Sequence, residues 1–361
     1  LMDKDEVRLW LRFTTVYKVG PRKQLALLAR FGTPEAALVA KEAELAEVLA
    51  PTVLRAWLEI DHSQLEATLE QTLAWQLEEG NTLISLADAA YPQRLLDLPD
   101  APTLIYVKGR LDLLSTPALS IVGSRSASPQ GIENAEQFAQ CFSAAGLTVV
   151  SGLAAGIDAA AHRGGLAAAG STIAVVGTGL DRVYPASNRE LAHCIAEQGT
   201  IISELALGSP PKAEHFPRRN RMIAALGLGC LVVEASVGSG SLITAKQAAD
   251  IGREVLAIPG SIHSPLARGC HLLIKQGAKL VESSEDVLSE LAWDSPQGAS
   301  VPKRASKSSP FLQNMGFDPV DIETLSQRSG LTTDRLSAML LTLELEGCIV
   351  ALPGSRYQRV A

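Results

Sequence analysis

Over residues 119–281 the chain alternates between short runs rich in Val and Ile, glycine-containing turns, and amphipathic helical stretches. The runs are Leu119–Val122, Thr148–Ser151, Thr172–Val176, Thr200–Ser203, Cys230–Glu234, Glu254–Ile258 and Lys279–Val281. They lack the polar–apolar alternation of a half-solvated strand, so both faces are expected to be buried. Helical periodicity falls between them, over Glu133–Ala145, Ala159–Ala169, Arg189–Gln198 and Leu242–Ile251. Strands alternating with helices predict an α/β fold with a doubly wound parallel sheet. Strand-to-helix turns then collect at the carboxyl edge of the sheet, where such folds bind ligands.

The flanks follow other patterns. Residues 1–82 read as a helical domain, with Leu25, Leu27, Leu28 and Phe31 at helical spacing. The segment Val16–Pro21 reads as a tight turn, with Pro21 near the first position of the next helix. This resembles half of a helix-hairpin-helix or a small SAM-like bundle. It can touch a DNA backbone through turn amides, or be a plain accessory domain, as its acidity favours. Residues 83–294 form the α/β domain, and residues 295–310, without apolar period, read as a flexible linker. In residues 311–361 a helix over Pro319–Arg328 precedes a turn at Gly330–Thr332. A second helix then runs from Thr333 to Glu346, and a hairpin spans Cys348–Leu352 and Arg356–Val360. Helix-turn-helix plus a β-wing is the winged-helix pattern.

Net charge is −7, divided as 9 basic and 14 acidic residues in 1–90, 16 and 19 in 91–294, and 7 and 6 in 295–361. Any nucleic-acid role must therefore rest on local clustering. Residues 1–6 hold no apolar core of a signal peptide, and no apolar run reaches the length of a membrane span. The five cysteines are scattered, without a Cys-x-x-Cys pair, which argues against zinc and for a reducing, cytoplasmic setting. No metal or cofactor is expected.

Four glycine turns stand out. Ile121–Ser126 holds Gly123, Ser124 and Arg125; the others are Ser151–Asp158 with Gly152, Val176–Asp181, and Ser236–Ser241 with Ser239 and Gly240. Backbone N–H groups at a helix start attract anions, and glycine lets them come close. Arg125 is either a phosphate ligand or a plain surface arginine. Gly177 and Gly179 begin G-x-G-x-x-G, but position 182 is Arg, and no G-x-x-x-x-G-K-[ST] occurs, so mononucleotide and dinucleotide sites are poorly supported. Several such turns on one edge suit a ligand with phosphates in a row.

The sharpest local feature is the segment Pro210–Arg221, read as a loop entering a helix. It carries Lys212, Phe216, Arg218, Arg219, Asn220 and Arg221. Single-strand binders pair such charge with aromatics on which bases stack. The bland alternative places Phe216 in the core and ties the arginines in structural ion pairs. Asp158 and His162, four apart, can be a base and its orienter, or a cap with a core histidine below it; the second is favoured. Glu204 and Glu234 can be bases, or can hold the arginines of 218–221. No nucleophile elbow or zinc motif occurs.

Together, several ordered motifs resemble the bacterial DNA-processing protein A family (DprA, also called Smf). They are Ile121–Arg125, Ser151–Asp158, Ile173–Asp181, Phe216–Arg221, Val232–Ala235, Ser239–Ala245 and Gly252–Val255. The resemblance covers residues ~90–290 almost without a break. It implies an extended Rossmann-like domain that binds single-stranded DNA in a basic cleft and forms a homodimer. It also implies a non-enzymatic role in protecting incoming DNA during natural transformation and bringing RecA to it. By motif position it offers Arg125, Phe216, Arg219, Arg221 and Lys246 as DNA contacts, with Gly152, Ser239 and Gly240 giving backbone. Ser124, Arg218 and Asn220 lie within the same motifs, whereas Lys212 rests on charge alone. The second helix of the winged-helix segment carries Asp334, Glu344 and Glu346 against Arg335, so protein contact or regulation is expected there more than duplex reading.

Two other classes compete. A Rossmann-like nucleotide phosphoribohydrolase would show a Pro-Gly-Gly-x-Gly-Thr loop; the chain has Gly238–Ser241 and a lone Pro259-Gly260. A winged-helix transcription regulator would leave the large α/β core unexplained.

Overall fold

The structure is a computed structural model and describes residues 2–16, 18–59, 63–294 and 310–360. Tyr17 of the first turn and nearly all of the expected linker lie outside the described residues.

Six helices open the chain: α1 (Lys4–Thr14), α2 (Pro21–Phe31), α3 (Pro34–Val39), α4 (Glu42–Leu45), α5 (Pro51–Leu58) and α6 (Ser63–Gln76). Asp3 caps α1 by accepting from Asp5 N and Glu6 N, and Pro21 occupies the first turn of α2 as its sequence requires. Their core of Trp10, Phe13, Leu27, Trp57 and Leu69 continues into Leu83, Leu104 and Tyr106 of the sheet. The bundle is thereby fixed to one end of the α/β domain.

That domain holds strands β1 (Asn81–Ser85), β2 (Leu104–Gly109), β3 (Ala118–Val122), β4 (Thr148–Ser151), β5 (Thr172–Val175), β6 (Thr200–Ser203), β7 (Gly229–Val232), β8 (Glu254–Ala257) and β9 (Lys279–Leu280). Among the described residues they form one sheet, ordered β1-β2-β6-β5-β4-β3-β7-β8-β9. From β6 to β9 every pairing is parallel, whereas β1, β2 and β6 pair antiparallel. The expected parallel sheet spans β6 to β9, β1 and β2 extend it antiparallel at one edge, and β1 straddles the 82/83 boundary.

Between the strands run α7 (Pro129–Ala144), α8 (Ile157–Leu166), α9 (Arg189–Gln198), α10 (His215–Leu226), α11 (Gly240–Asp250), α12 (Arg268–Lys275) and α13 (Ser284–Glu290). Both sheet faces are covered. Leu119, Ile121, Val149 and Leu231 point to a layer with Phe142, Ile157 and Val287; Val122, Val150, Cys230 and Val232 point to one with Met222, Ile223, Ala245 and Cys270. This two-sided burial is why the strands read as unbroken apolar runs.

The C-terminal unit contains α14 (Pro310–Met315), β10 (Val320–Asp321), α15 (Ile322–Ser329), α16 (Thr333–Leu345), β11 (Ile349–Leu352) and β12 (Arg356–Arg359). Its sheet is antiparallel, in the order β10-β12-β11, around a core of Leu312, Met315, Leu325, Leu336, Leu340 and Ile349. It is a winged helix. The helix expected from Pro319 begins three residues later, because Val320 and Asp321 pair with the wing and Asp321 then caps α15 through Thr324 N. Thr332 stands at the N-cap of α16, though its side chain makes no capping bond.

Candidate nucleic-acid interface

Strand order reverses between β3 and β7: β4, β5 and β6 lie to one side, β8 and β9 to the other. The loops leaving β3 and β7 must diverge there, which opens a crevice at the carboxyl ends of the strands. A cleft of about 440 Å³ occupies this point. Ser124, Arg125, Arg219, Asn220, Ser239 and Gly240 line it, all suggested by the sequence, and Ser126, Ser236, Ser241, Thr244 and Leu266 join them.

Three of the four glycine turns border this cleft: Ile121–Ser126, Ser236–Ser241 and, through Ala154 and Asp158, Ser151–Asp158. Ser124 N donates to Glu234 O (2.7 Å), and Ser124 O accepts from Ile157 N (3.1 Å), so the first turn is pinned to β7 and α8. Gly156, the N-cap of α8, has φ +76°, and a Cβ there would run into the carbonyls of Ser124 and Arg125. The turn before α11 is capped by Ser239, whose Oγ accepts from Ser241 N (3.3 Å).

In Ser151–Asp158 and Val176–Asp181 several backbone amides are bonded within the protein. In Ser151–Asp158 the Asp158 carboxylate accepts from Gly152 N (3.1 Å) and Ala154 N (3.4 Å), while His162 Nε2 accepts from Leu153 N (3.1 Å). In Val176–Asp181, Gly179 N bonds Ser209 O and Asp181 Oδ1 accepts from Gly208 N. The start of α7 is filled too: Glu234 accepts from Ser128 N (2.9 Å) and Ser128 Oγ (2.5 Å). Burial holds its carboxyl above the usual range, against the pull of those bonds. Glu234 therefore holds a helix start and none of the arginines.

The arginines divide sharply. Pro210–Arg221 enters a helix as read, with α10 beginning at His215. Arg219 faces inward and is 5% exposed; its Nη1 donates to Gly152 O and Val175 O, and Nε donates to Asn220 Oδ1 (3.1 Å). Burial pushes its guanidinium down to about 10, and Arg125's charge adds to this while Asp158 opposes it. Gly152 must be glycine, because a Cβ would overlap that guanidinium. Arg221 has a side chain 6% exposed, ion-paired with Glu204 (2.6 Å) and Asp100 (3.2 Å); Arg218 also reaches Glu204 (3.1 Å). Gly152 has both backbone groups in use, Arg221 is held in ion pairs, and Arg219 lines the cleft floor with Nη1 and Nε directed at carbonyl oxygens. The reading of Glu204 as an arginine holder fits its geometry.

Asp158 and His162 likewise take the bland role. Both are buried. Because Nε2 accepts, the His162 proton sits on Nδ1 and is donated to Thr172 Oγ1 (2.7 Å), whose hydroxyl donates to Val149 O (2.7 Å). Burial, then the charges of Arg219 and Arg163, lower His162 to about 3, so it is neutral. Burial raises the Asp158 carboxyl, countered by Arg219. Asp158 lies in the first turn of α8 and ties down the 152–154 backbone instead of capping the helix.

The side chains left facing outward at the cleft mouth differ in kind. Arg125 is exposed, pairs with no carboxylate among the described residues, and lies 5.5 Å over the Phe216 ring. Phe216 is half-buried, with Tyr184 on it at 5.5 Å and 40°. Sequence reading passed over Tyr184; its signal was an aromatic beside a glycine turn in a chain with 4% aromatics. Lys246 on α11 and Lys212 before α10 are exposed, and both lie outside the residues lining the cleft. No cluster suited to a metal ion and no helix long and apolar enough to cross a membrane occurs among the described residues.

An open α/β sheet with a serine- and glycine-edged crevice at its order reversal, followed by a winged helix, defines the class: a Rossmann-type ligand-binding protein with a winged-helix appendage. Known proteins narrow it. The family model of DNA recombination-mediator protein A matches residues 82–292, and that of the DprA winged helix domain matches 295–355. The chain is 39% identical to protein Smf of Escherichia coli over 298 residues, which cover 80% of each chain. It is 50% identical to DNA processing protein DprA of Streptococcus pneumoniae over 209 residues, 58% of this chain and 74% of that one. The X-ray structure of the pneumococcal protein matches with a TM-score of 0.68 at 38% identity, covering 80% of this chain and 98% of that one. DNA processing protein A of Helicobacter pylori, solved for insight into its single-stranded DNA binding mode, matches with a TM-score of 0.53 at 27% identity, covering 58% and 96%. The chain belongs to the DNA recombination-mediator protein A family.

Proposed function

We propose that the protein binds single-stranded DNA in the crevice between β3 and β7, without catalysing a reaction on it, and as a homodimer helps to load RecA during recombination. The observation that carries this reading is the cleft itself. Its two serine–glycine turns and Asn220 offer polar groups, and Arg125 stands at its mouth with no carboxylate partner among the described residues. A guanidinium in that position suits a phosphate, and the neighbouring aromatic rings suit bases. The H. pylori relative, described for its single-stranded DNA binding mode, supports the same ligand. Against a hydrolase stands the state of the candidate acid–base pair: Asp158 and His162 are buried and committed to backbone and hydroxyl groups. RecA and the second copy are inferred from family membership.

Competition between single- and double-stranded oligonucleotides of one sequence tests the reading. Single strands should displace a labelled single strand at far lower concentration than duplex. Equal displacement would assign the cleft to something other than a flexible strand.

A further inference from the structure

Among the described residues, two aromatic side chains are exposed: Phe317 of the winged helix, and Tyr184, which is 47% exposed and packs on the Phe216 ring beside Arg125. Tyr184 sits on the loop after β5, and that loop is held from both sides. Asn188 Nδ2 donates to Leu153 O (2.9 Å) and Ala154 O (3.2 Å), while Asp181 Oδ1 accepts from Gly208 N (2.7 Å). The ring is thus presented on a fixed support, so a ligand stacking on it orders little of the protein. Below it, Phe216 is already enclosed. Tyr184 lies over it at 5.5 Å, the Arg125 and Arg219 guanidinium groups stand 5.5 and 5.9 Å from its centroid, and a Cβ on Gly177 would come within 3.2 Å of its edge. Phe216 is half-buried under these neighbours, whereas Tyr184 presents an exposed ring.

We propose that Tyr184 is the base-stacking platform of the site: a nucleobase lies on its exposed face, Phe216 backs it, and Arg125 holds a nearby phosphate. This rests on the single-strand reading above and transfers the stacking role from Phe216 to a residue outside the basic segment. An aromatic face accepts any base, so the contact adds affinity without sequence preference.

The test compares an oligothymidylate with an abasic oligonucleotide of equal length, by fluorescence anisotropy at one salt concentration. The abasic strand keeps the phosphates and lacks the bases. Tyr184→Ala should weaken thymidylate binding roughly 5- to 150-fold, the worth of one stacked base, and leave abasic binding unchanged. Tyr184→Phe should bind both like the parent protein, because it keeps the ring, and Arg125→Ala should weaken both strands alike. Parent-like thymidylate binding by Tyr184→Ala, or equal loss on both strands, would overturn the stacking assignment and leave the single-strand reading standing. If the parent protein bound neither strand, the reading and this inference would fall together.

Discussion

Arg125 and Arg219 are identical in sequence terms and opposite in the folded protein. Both sit in glycine- or arginine-rich motifs, yet one faces solvent beside a ring and the other braces β4 and β5 through their terminal carbonyls. Sequence could nominate both and could not separate them, because the difference depends on which side of α10 faces the sheet. Once α10 is known to start at His215, Arg218 and Arg221 fall three apart on one face and meet Glu204, and Arg219 falls on another. On α8, burial of His162 makes a pH dependence. His162 is held neutral in the fold at about 3, whereas an exposed histidine titrates near ~6.5. Below that pH the unfolded chain takes up the proton first, so acidification favours unfolding. The expected loss is up to about 1.4 kcal/mol per pH unit between the two values, with no contribution at neutral pH and above. Urea midpoints at pH 7, 5.5 and 4.5 check this: the parent protein should lose stability more steeply than His162→Gln, whose side chain cannot titrate. Parallel slopes would mean that His162 is protonated in place.

At the scale of elements, the parallel strands were legible because each is buried on both faces and must be apolar throughout. β1 and β2 were not, since they join antiparallel at the sheet edge without intervening helices, among short 3-10 turns. α14 and β10 were missed for a related reason: each is short, and its apolar residues serve the winged-helix core instead of a period of their own. The basic segment was legible as a loop entering a helix, but its placement depends on a carboxylate six residues before it. Glu204 follows β6, is 5% exposed at its side chain, and takes both Arg218 and Arg221. Removing its charge leaves the buried Arg221 with Asp100 alone, and unbalancing a buried pair costs about 3–5 kcal/mol. Glu204→Gln should therefore lower the unfolding midpoint and speed hydrogen exchange over residues 215–226, since α10 loses its tie to β6. Unchanged exchange there would place the anchoring of α10 in its apolar face.

For the whole molecule, the net charge of −7 has to be reconciled with a polyanionic ligand. Range resolves it. At physiological ionic strength charges act over about 8 Å, so the cations near the cleft dominate and distant carboxylates are screened. Arg125 at the cleft, and Lys212 and Lys246 beyond its lining, are the exposed cations proposed to meet the strand that have no carboxylate partner among the described residues. Each phosphate they neutralise releases counterions, at about −0.7 per contact in a plot of log affinity against log salt for single strands. Three contacts give a slope of roughly −2 between 50 and 200 mM, and Arg125→Ala should bring it to roughly −1.4. Toward 10 mM salt the screening length grows to about 30 Å. The strand then feels the acidic remainder of the molecule, so the line should flatten instead of rising further, as it would for a basic protein. Anisotropy titrations across that range measure both effects. A slope of −5 or steeper that continues to the lowest salt would require a longer basic track than Arg125, Lys212 and Lys246 provide.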